Sequence, residues 1–197
     1  MRRMVSTAAL WAVAAVMAAC STPASHLYTL SQTSAGNAAT GASNITVLVG
    51  PVSIPAIVDA PQIVVSTGPN EVRQEEFNRW ASPLANNITR VVVGDLVTLL
   101  GTPRVSGLQD GVQLKPDYQV AIAVQAFVSA PGEAATLDAI WNVRRVRDDK
   151  AESGRTTVSE SSGGKGYDAL VAAHSRALGR LSQGIADRIR SMESGAL

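Results

Sequence analysis

The feature that most constrains the fold is a run of strict two-residue alternation beginning at Tyr118. Tyr118, Val120, Ile122, Val124 and Ala126 alternate with Gln119, Ala121, Ala123, Gln125 and Phe127, and only a pleated strand sends successive side chains to opposite faces. Ala134 to Val146 repeats the habit, with Leu137, Ala139, Trp141 and Val143 on one face. Pro131-Gly132 lies between the two runs as a turn, so the strands are expected to pair antiparallel. Arg155 to Ser161, with Thr156 and Val158 among polar neighbours, predicts a third strand, reached through a charged, exposed loop from Arg147 to Gly154. Such a sheet has an apolar face that another layer must cover.

Two helices supply that layer. Ser82-Pro83 predicts a helix start, with serine capping the free amides and proline in the first helical position, where its missing N–H is not needed. Leu84, Ile88, Val91, Leu96 and Leu99 follow at three- and four-residue steps, and Gly101 with Pro103 marks the stop. After the break at Gly163-Gly164-Lys165-Gly166, a second stripe of Leu170, His174, Ala177, Leu178, Leu181, Ile185 and Ile189 opposes Arg176, Arg180, Asp187 and Arg190. The expected fold is α+β: a two-layer domain, a mainly antiparallel sheet covered by two amphipathic helices at about 83–100 and 168–190.

Upstream, Ile45 to Val49 reads as a buried strand continuing unevenly to Ile54-Pro55. Pro51 and Pro55 cannot donate to a ladder, which puts that extension at an edge or bend. Gln62 to Thr67 is another strand, ended by Gly68-Pro69-Asn70; Glu71 to Phe77 fits either a strand or a helix and is read as its hairpin partner. His26 to Leu30 is strand-like, whereas Ser31 to Asn44, rich in Ser, Gly, Ala, Thr and Asn, reads as a mobile loop.

The amino terminus has a different character. Arg2 and Arg3 precede an apolar run from Ala8 to Val16 that is too short to span a bilayer as a helix, followed by Met17-Ala18-Ala19-Cys20-Ser21. Cys20 is the only cysteine. The site resembles a bacterial lipobox, with Met17 where Leu is more usual. That resemblance implies a signal peptide over 1–19, lipidation at Cys20, a tether over 20–25 and a single domain over 26–197. Ser21, in place of the Asp that tends to retain lipoproteins in the inner membrane, favours the periplasmic face of the outer membrane of a Gram-negative cell. Each buried methylene contributes about 0.8 kcal/mol, so several acyl chains hold a protein to a membrane without any transmembrane helix.

Composition narrows the function further. The formal net charge is +1 and the pI about 7.9, so no global field draws nucleic acid. His26 and His174 have no ligand-type residues at metal spacing, and His174 falls within an apolar stripe, where a core role is expected. Ser162-Gly163-Gly164-Lys165 has the Ser-x-x-Lys spacing of penicillin-binding enzymes but sits in a glycine-rich break rather than on a helix. Gly164-Lys165 lacks the upstream glycine and the following Ser or Thr of a phosphate loop. Asp59, Asp95, Asp110 and Asp138 are scattered singly. Arg144, Arg145 and Arg147 fit either lipid headgroups or a solvated hairpin end balanced by Asp148, Asp149 and Glu152. The expectation is therefore no catalytic residue, no metal and no cofactor.

Five blocks occur in order: Tyr28-Thr29-Leu30; Val49-Gly50-Pro51-Val52-Ser53-Ile54-Pro55; Asp59-Ala60-Pro61-Gln62-Ile63-Val64; Asn78-Arg79-Trp80-Ala81-Ser82-Pro83-Leu84; and Tyr167-Asp168-Ala169-Leu170-Val171-Ala172-Ala173 with Leu181-Ser182. Together they resemble the PqiC (YmbA) family, the ABC-type transport auxiliary lipoproteins. Ser82 stands where the family commonly has Glu, a change that keeps the helix cap, and Leu27 replaces a Tyr, a conservative change if that site is buried.

The resemblance implies a non-enzymatic, outer-membrane-anchored adaptor of an intermembrane phospholipid transport system. Its partners would be a periplasmic MCE-domain protein and an inner-membrane permease, with homo-oligomers plausible. Partner-binding positions are expected at Asp59, Gln62, Arg79 and Trp80. Trp80 admits a second role, closing the end of the core ahead of the helix, and an exposed Arg-Trp pair would instead be an interface anchor. The other reading of the whole protein is a carrier that encloses an acyl chain, which requires a closed apolar cavity of roughly 300 to 1,000 Å³.

Overall fold

The computed structural model of the protein describes residues 24–33, 44–111 and 115–195. The predicted leader over 1–19, Cys20 and most of the predicted loop at 31–44 lie outside them. In chain order the elements are β1 (His26–Tyr28), β2 (Val47–Ser53), a 3-10 turn (Ala56–Val58), β3 (Gln62–Gly68), β4 (Glu71–Trp80), α1 (Leu84–Leu100), β5 (Val105–Gly107), β6 (Tyr118–Ala130), β7 (Ala134–Arg145), β8 (Ala151–Ser161) and α2 (Tyr167–Ser194). They build a two-layer α+β fold with a five-stranded sheet, β5-β2-β6-β7-β8, and a three-stranded sheet, β1-β4-β3. Antiparallel pairing dominates through the β6–β7–β8 meander and the β3–β4 hairpin, but both sheets are mixed. β2 runs parallel to β5 and β6, and β1 parallel to β4. Parallel neighbours need long crossovers, and the stretch from β3 through α1 supplies one between β2 and β6.

β2 is central only over Val47–Val49, where β5 and β6 flank it. Beyond Gly50-Pro51, a cis peptide, the register shifts and Val52–Ser53 pair with β6 alone. The prolines thus stand where one side of the strand is free, as their lack of a donor requires.

β6 departs from its predicted alternation. A register irregularity between Val124 and Ala126 reverses the two faces, as an inserted residue in a period-two pattern must. Phe127, placed by simple alternation with the polar set, is buried, while Val128 is exposed.

β8 begins at Ala151, within the predicted loop. Its first inward residues are Glu152 and Gly154, neither of which reads as a core residue. Glu152 is accommodated because Arg188 of α2 and Lys150 pair with it at 2.5 and 3.2 Å. Gly154 is accommodated because the Trp141 indole lies across it, leaving only 2.2 Å to where a Cβ would stand. Farther along, Glu160 takes Arg176 and Arg180, so two arginines of the predicted solvent face of α2 bridge to the sheet edge.

α1 starts at Leu84 with Pro83 as its cap residue, and no side chain caps it. Ser82 therefore does not perform the capping expected of it. Its carbonyl instead accepts a hydrogen bond from Asn87 Nδ2 at 3.2 Å, while Asn87 N–H bonds Pro83 O at 3.0 Å to open the helix. The other end is as predicted: Gly101 adopts φ 64°, a left-handed stop that suits glycine.

The segment Thr29–Thr33 lies along both helices. Leu30 is fully buried. Arg90 donates to Leu30 O at 2.5 Å and Thr29 Oγ1 at 2.8 Å, Ser31 N–H donates to Ser175 Oγ at 3.0 Å, and Thr33 N–H donates to Asp95 Oδ1 at 3.2 Å. Residues 31–33, the start of the predicted mobile loop, are thus fixed.

Candidate functional site

Three of the sequence blocks that carry the family resemblance meet at one corner, where β1 and β4 approach the start of α2. Tyr28 O–H donates to Asn78 Oδ1 at 3.2 Å, its ring lies tilted against Tyr167 at 6.0 Å, and Ala81 N–H donates to Tyr28 O at 2.8 Å. Burial, then a hydrogen bond to Glu75, pushes the Tyr167 phenol up to about 12. Burial opposes ionisation of Glu75, but hydrogen bonds from Arg73 and Tyr167 outweigh it and hold the carboxyl below its ordinary range. No spacing in the sequence announces this convergence, because the three blocks come from distant parts of the chain.

A cleft of about 260 Å³ opens beside the corner, lined by Asp59, Ala60, Pro61, Trp80, Pro83 and Leu84. Trp80 N–H donates to Pro61 O at 2.8 Å, tying the wall together. Gln62 stands opposite Arg79 across the β3–β4 pair. Asp59 is exposed, and Arg79 is half-buried with its Nε on Glu76 O at 2.9 Å. The four expected contact positions therefore share one neighbourhood, but Trp80 is only 6% exposed and contributes to the cleft from within the core. Leu27, in contrast, is 66% exposed, so the condition under which its replacement of Tyr would be conservative is not met.

Behind Trp80 lies an aromatic stack. Phe127 meets Trp80 edge to face at 6.2 Å and stacks on His174 at 3.8 Å and 7°. His174 is fully buried, and burial depresses its pKa to about 3, so the imidazole is neutral. Its Nε2 lies 2.8 Å from Ser129 Oγ, while Nδ1 has no hydrogen-bond partner. A nucleophilic serine needs a base that accepts its proton near neutral pH and a third group that orients that base. This imidazole resists protonation and has no orienting partner, so the pair acts as a buried structural hydrogen bond, the core role its position in the stripe suggested. Among the described residues, no three His, Cys, Asp or Glu side chains gather as a metal site.

At the other end of β6, Arg144 and Arg145 are engaged internally, while Arg147 is exposed. Arg145 is buried, donating to Asp148 at 2.7 Å and to Met192 O at 2.6 Å, and this pairing lowers the Asp148 carboxyl to about 2. Arg144 bonds Asp149 at 2.8 Å and Gln119 at 2.5 Å. These partners favour the balanced hairpin end over a headgroup site.

Together, the fold and the corner define a class: a small α+β module with an open cleft beside an amino-terminal strap hydrogen-bonded along both helices. The chain belongs to the family of ABC-type transport auxiliary lipoprotein components, whose match extends over residues 28–186. The fold recurs in a crystal structure of a protein described as uncharacterized, with TM-score 0.69 and 19% identity over 85% of this chain and 99% of that one. It also recurs in a Xanthomonas campestris protein of family DUF330, with TM-score 0.64 and 20% identity over 88% of this chain and 100% of that one. No curated protein matches the sequence. Among the described residues no helix is long and apolar enough to cross a membrane.

Proposed function

We propose that this protein is a non-enzymatic adaptor, lipidated at Cys20 and held at the periplasmic face of the outer membrane. There it fastens an MCE-type conduit for phospholipid, whose inner-membrane end is a permease. The leader over 1–19 is removed, residues 20–25 tether the protein, and 26–197 form the working domain. Membership of the auxiliary lipoprotein family over residues 28–186 carries this reading. The rim of Asp59, Gln62 and Arg79 beside the Trp80 cleft supplies the docking surface, with charge at its edge and an apolar wall behind it.

Photo-crosslinking in cells from Asp59 and Arg79 tests the partner. Capture of an MCE-domain protein is expected, and capture of only porins or peptidoglycan defeats the reading. Cys20→Ala tests the anchor, moving the protein from the membrane to the soluble fraction. The carrier reading requires an enclosed apolar cavity. The apolar cleft of about 380 Å³ beside β6 has an exposed rim instead, so the adaptor is the better supported of the two.

A further inference from the structure

That second cleft lies between the β3–β4 hairpin and the latter part of β6. Val64 and Phe127 form its buried floor, and its rim carries Ile57, Val72 and Val128, which are 57, 50 and 41% exposed. The irregularity in β6 is what turns Val128 outward. Three aliphatic side chains held in water around one groove mark an interaction surface.

The direction of β1 says what that surface meets. β1 runs parallel to β4 with His26 opposite Asn78, so the chain before His26 heads toward the start of β4. Val72 lies there, six residues before Asn78, a distance of about 20 Å in a strand. Cys20 precedes His26 by the same six residues, a reach of at most about 21 Å. The tether is therefore long enough to bring the anchor level with the groove, and too short to place the domain far from it.

We propose that the rim of Ile57, Val72 and Val128 seats directly on the bilayer that holds the anchor, its side chains entering the headgroup–acyl boundary. The inference rests on lipidation at Cys20. It orients the protein with the β3–β4 turn toward lipid and the β7–β8 turn, beside the paired Arg144 and Arg145, toward the periplasm.

Leu108 provides a matched control, because it is apolar and 52% exposed but lies at the other end of the sheet. Its N–H bonds Val49 O, and Val49 pairs with Val120, about 25 Å along β6 from Val128. The full-length chain is purified from membranes and reconstituted in phosphatidylethanolamine–phosphatidylglycerol vesicles. An environment-sensitive thiol label is placed in separate chains on Ile57→Cys, Val72→Cys, Val128→Cys or Leu108→Cys. Cys20, the only native cysteine, is occupied by its lipid. Nitroxide-bearing lipids should quench the three rim labels at least about threefold more than the Leu108 label, as expected for side chains that enter the interface. Equal, weak quenching at all four positions in chains that float with the vesicles overturns the seat while leaving the anchor intact, and a rim reserved for a protein partner gives that result. Failure to float overturns the anchor and the seat together.

Discussion

Replacing His174 by glutamine should remove a pH dependence of stability that the wild-type chain shows between pH 7.5 and 5.0. In the folded protein the imidazole stays neutral down to about pH 3 because it is sealed beneath Phe127 and beside Ser129. In the unfolded chain it takes up a proton near pH 6.5. A folded pKa below the unfolded one means the stabilisation is complete above about 6.5 and is lost as pH falls toward about 3. At pH 5.0 the unfolded chain binds one proton more than the folded chain, and integrating from 7.5 gives a loss of about 2 kcal/mol. That value requires only that the folded pKa lie below about 4. With a urea m-value of about 2 kcal/mol per molar, the midpoint should drop by about 1 M.

Trp80 and Trp141 are both buried and report the transition by fluorescence. In His174→Gln the new amide keeps a polar group for Ser129 but does not titrate, so the variant is less stable at pH 7.5 yet flatter with pH. His26 is exposed and common to both chains, and the carboxyls of Glu75, Asp138, Asp148 and Glu152 are all held below their ordinary range. Their contributions cancel in the comparison. Equal midpoint shifts in the two chains would refute the assignment of a buried neutral imidazole.

Three glycine substitutions test the packing. Gly154→Ala puts a methyl group 2.2 Å from the Trp141 indole and should cost about 1–3 kcal/mol in urea unfolding with a shifted tryptophan spectrum; an unchanged midpoint would contradict the contact. In α2, Gly179→Ala meets Thr33 Oγ1 at 2.2 Å, whereas in α1 Gly94→Ala meets chiefly the end of the flexible Gln32 side chain. Both gain about 1 kcal/mol of helix propensity, so Gly94→Ala should be near neutral while Gly179→Ala loosens the strap and speeds hydrogen exchange at the Thr33 amide.

β7 and α2 were legible because their burial follows one period throughout: Leu137, Ala139, Trp141 and Val143 do face one way, as do the apolar residues of α2. Legibility failed where one residue changed the phase or where a partner replaced apolarity. The irregularity near Gln125 reversed Phe127 and Val128, and a period-two reading has no means of locating such an insertion. The start of β8 was hidden because Glu152 is neutralised by arginine from a helix that follows it in the chain. Ser82 carried a sound capping signature, but the helix takes Pro83 as its cap residue and uses Asn87 to satisfy the Ser82 carbonyl. The corner of Tyr28, Asn78 and Tyr167 was visible only as family blocks, since its contacts span up to 139 positions and no local pattern encodes them.

Those long-range contacts also bear on how an anchor would act. Ala81 N–H holds Tyr28 O beside the Trp80 cleft, and from Thr29 to Thr33 the strap is bonded in turn to Asn87, Arg90, Ser175 and Asp95. α1 and α2 are therefore clamped together by the same residues that lead back toward Cys20. On the proposed reading, tension from the membrane enters the fold through β1 and this strap, at the base of the docking cleft. Displacing a fixed strap requires breaking several hydrogen bonds and exposing Leu30, which is fully buried, at a cost of about 2 kcal/mol or more for the side chain alone. The cleft and the strap are bonded into one body, so on that reading the height of the docking surface above the bilayer is set by the few residues between Cys20 and His26.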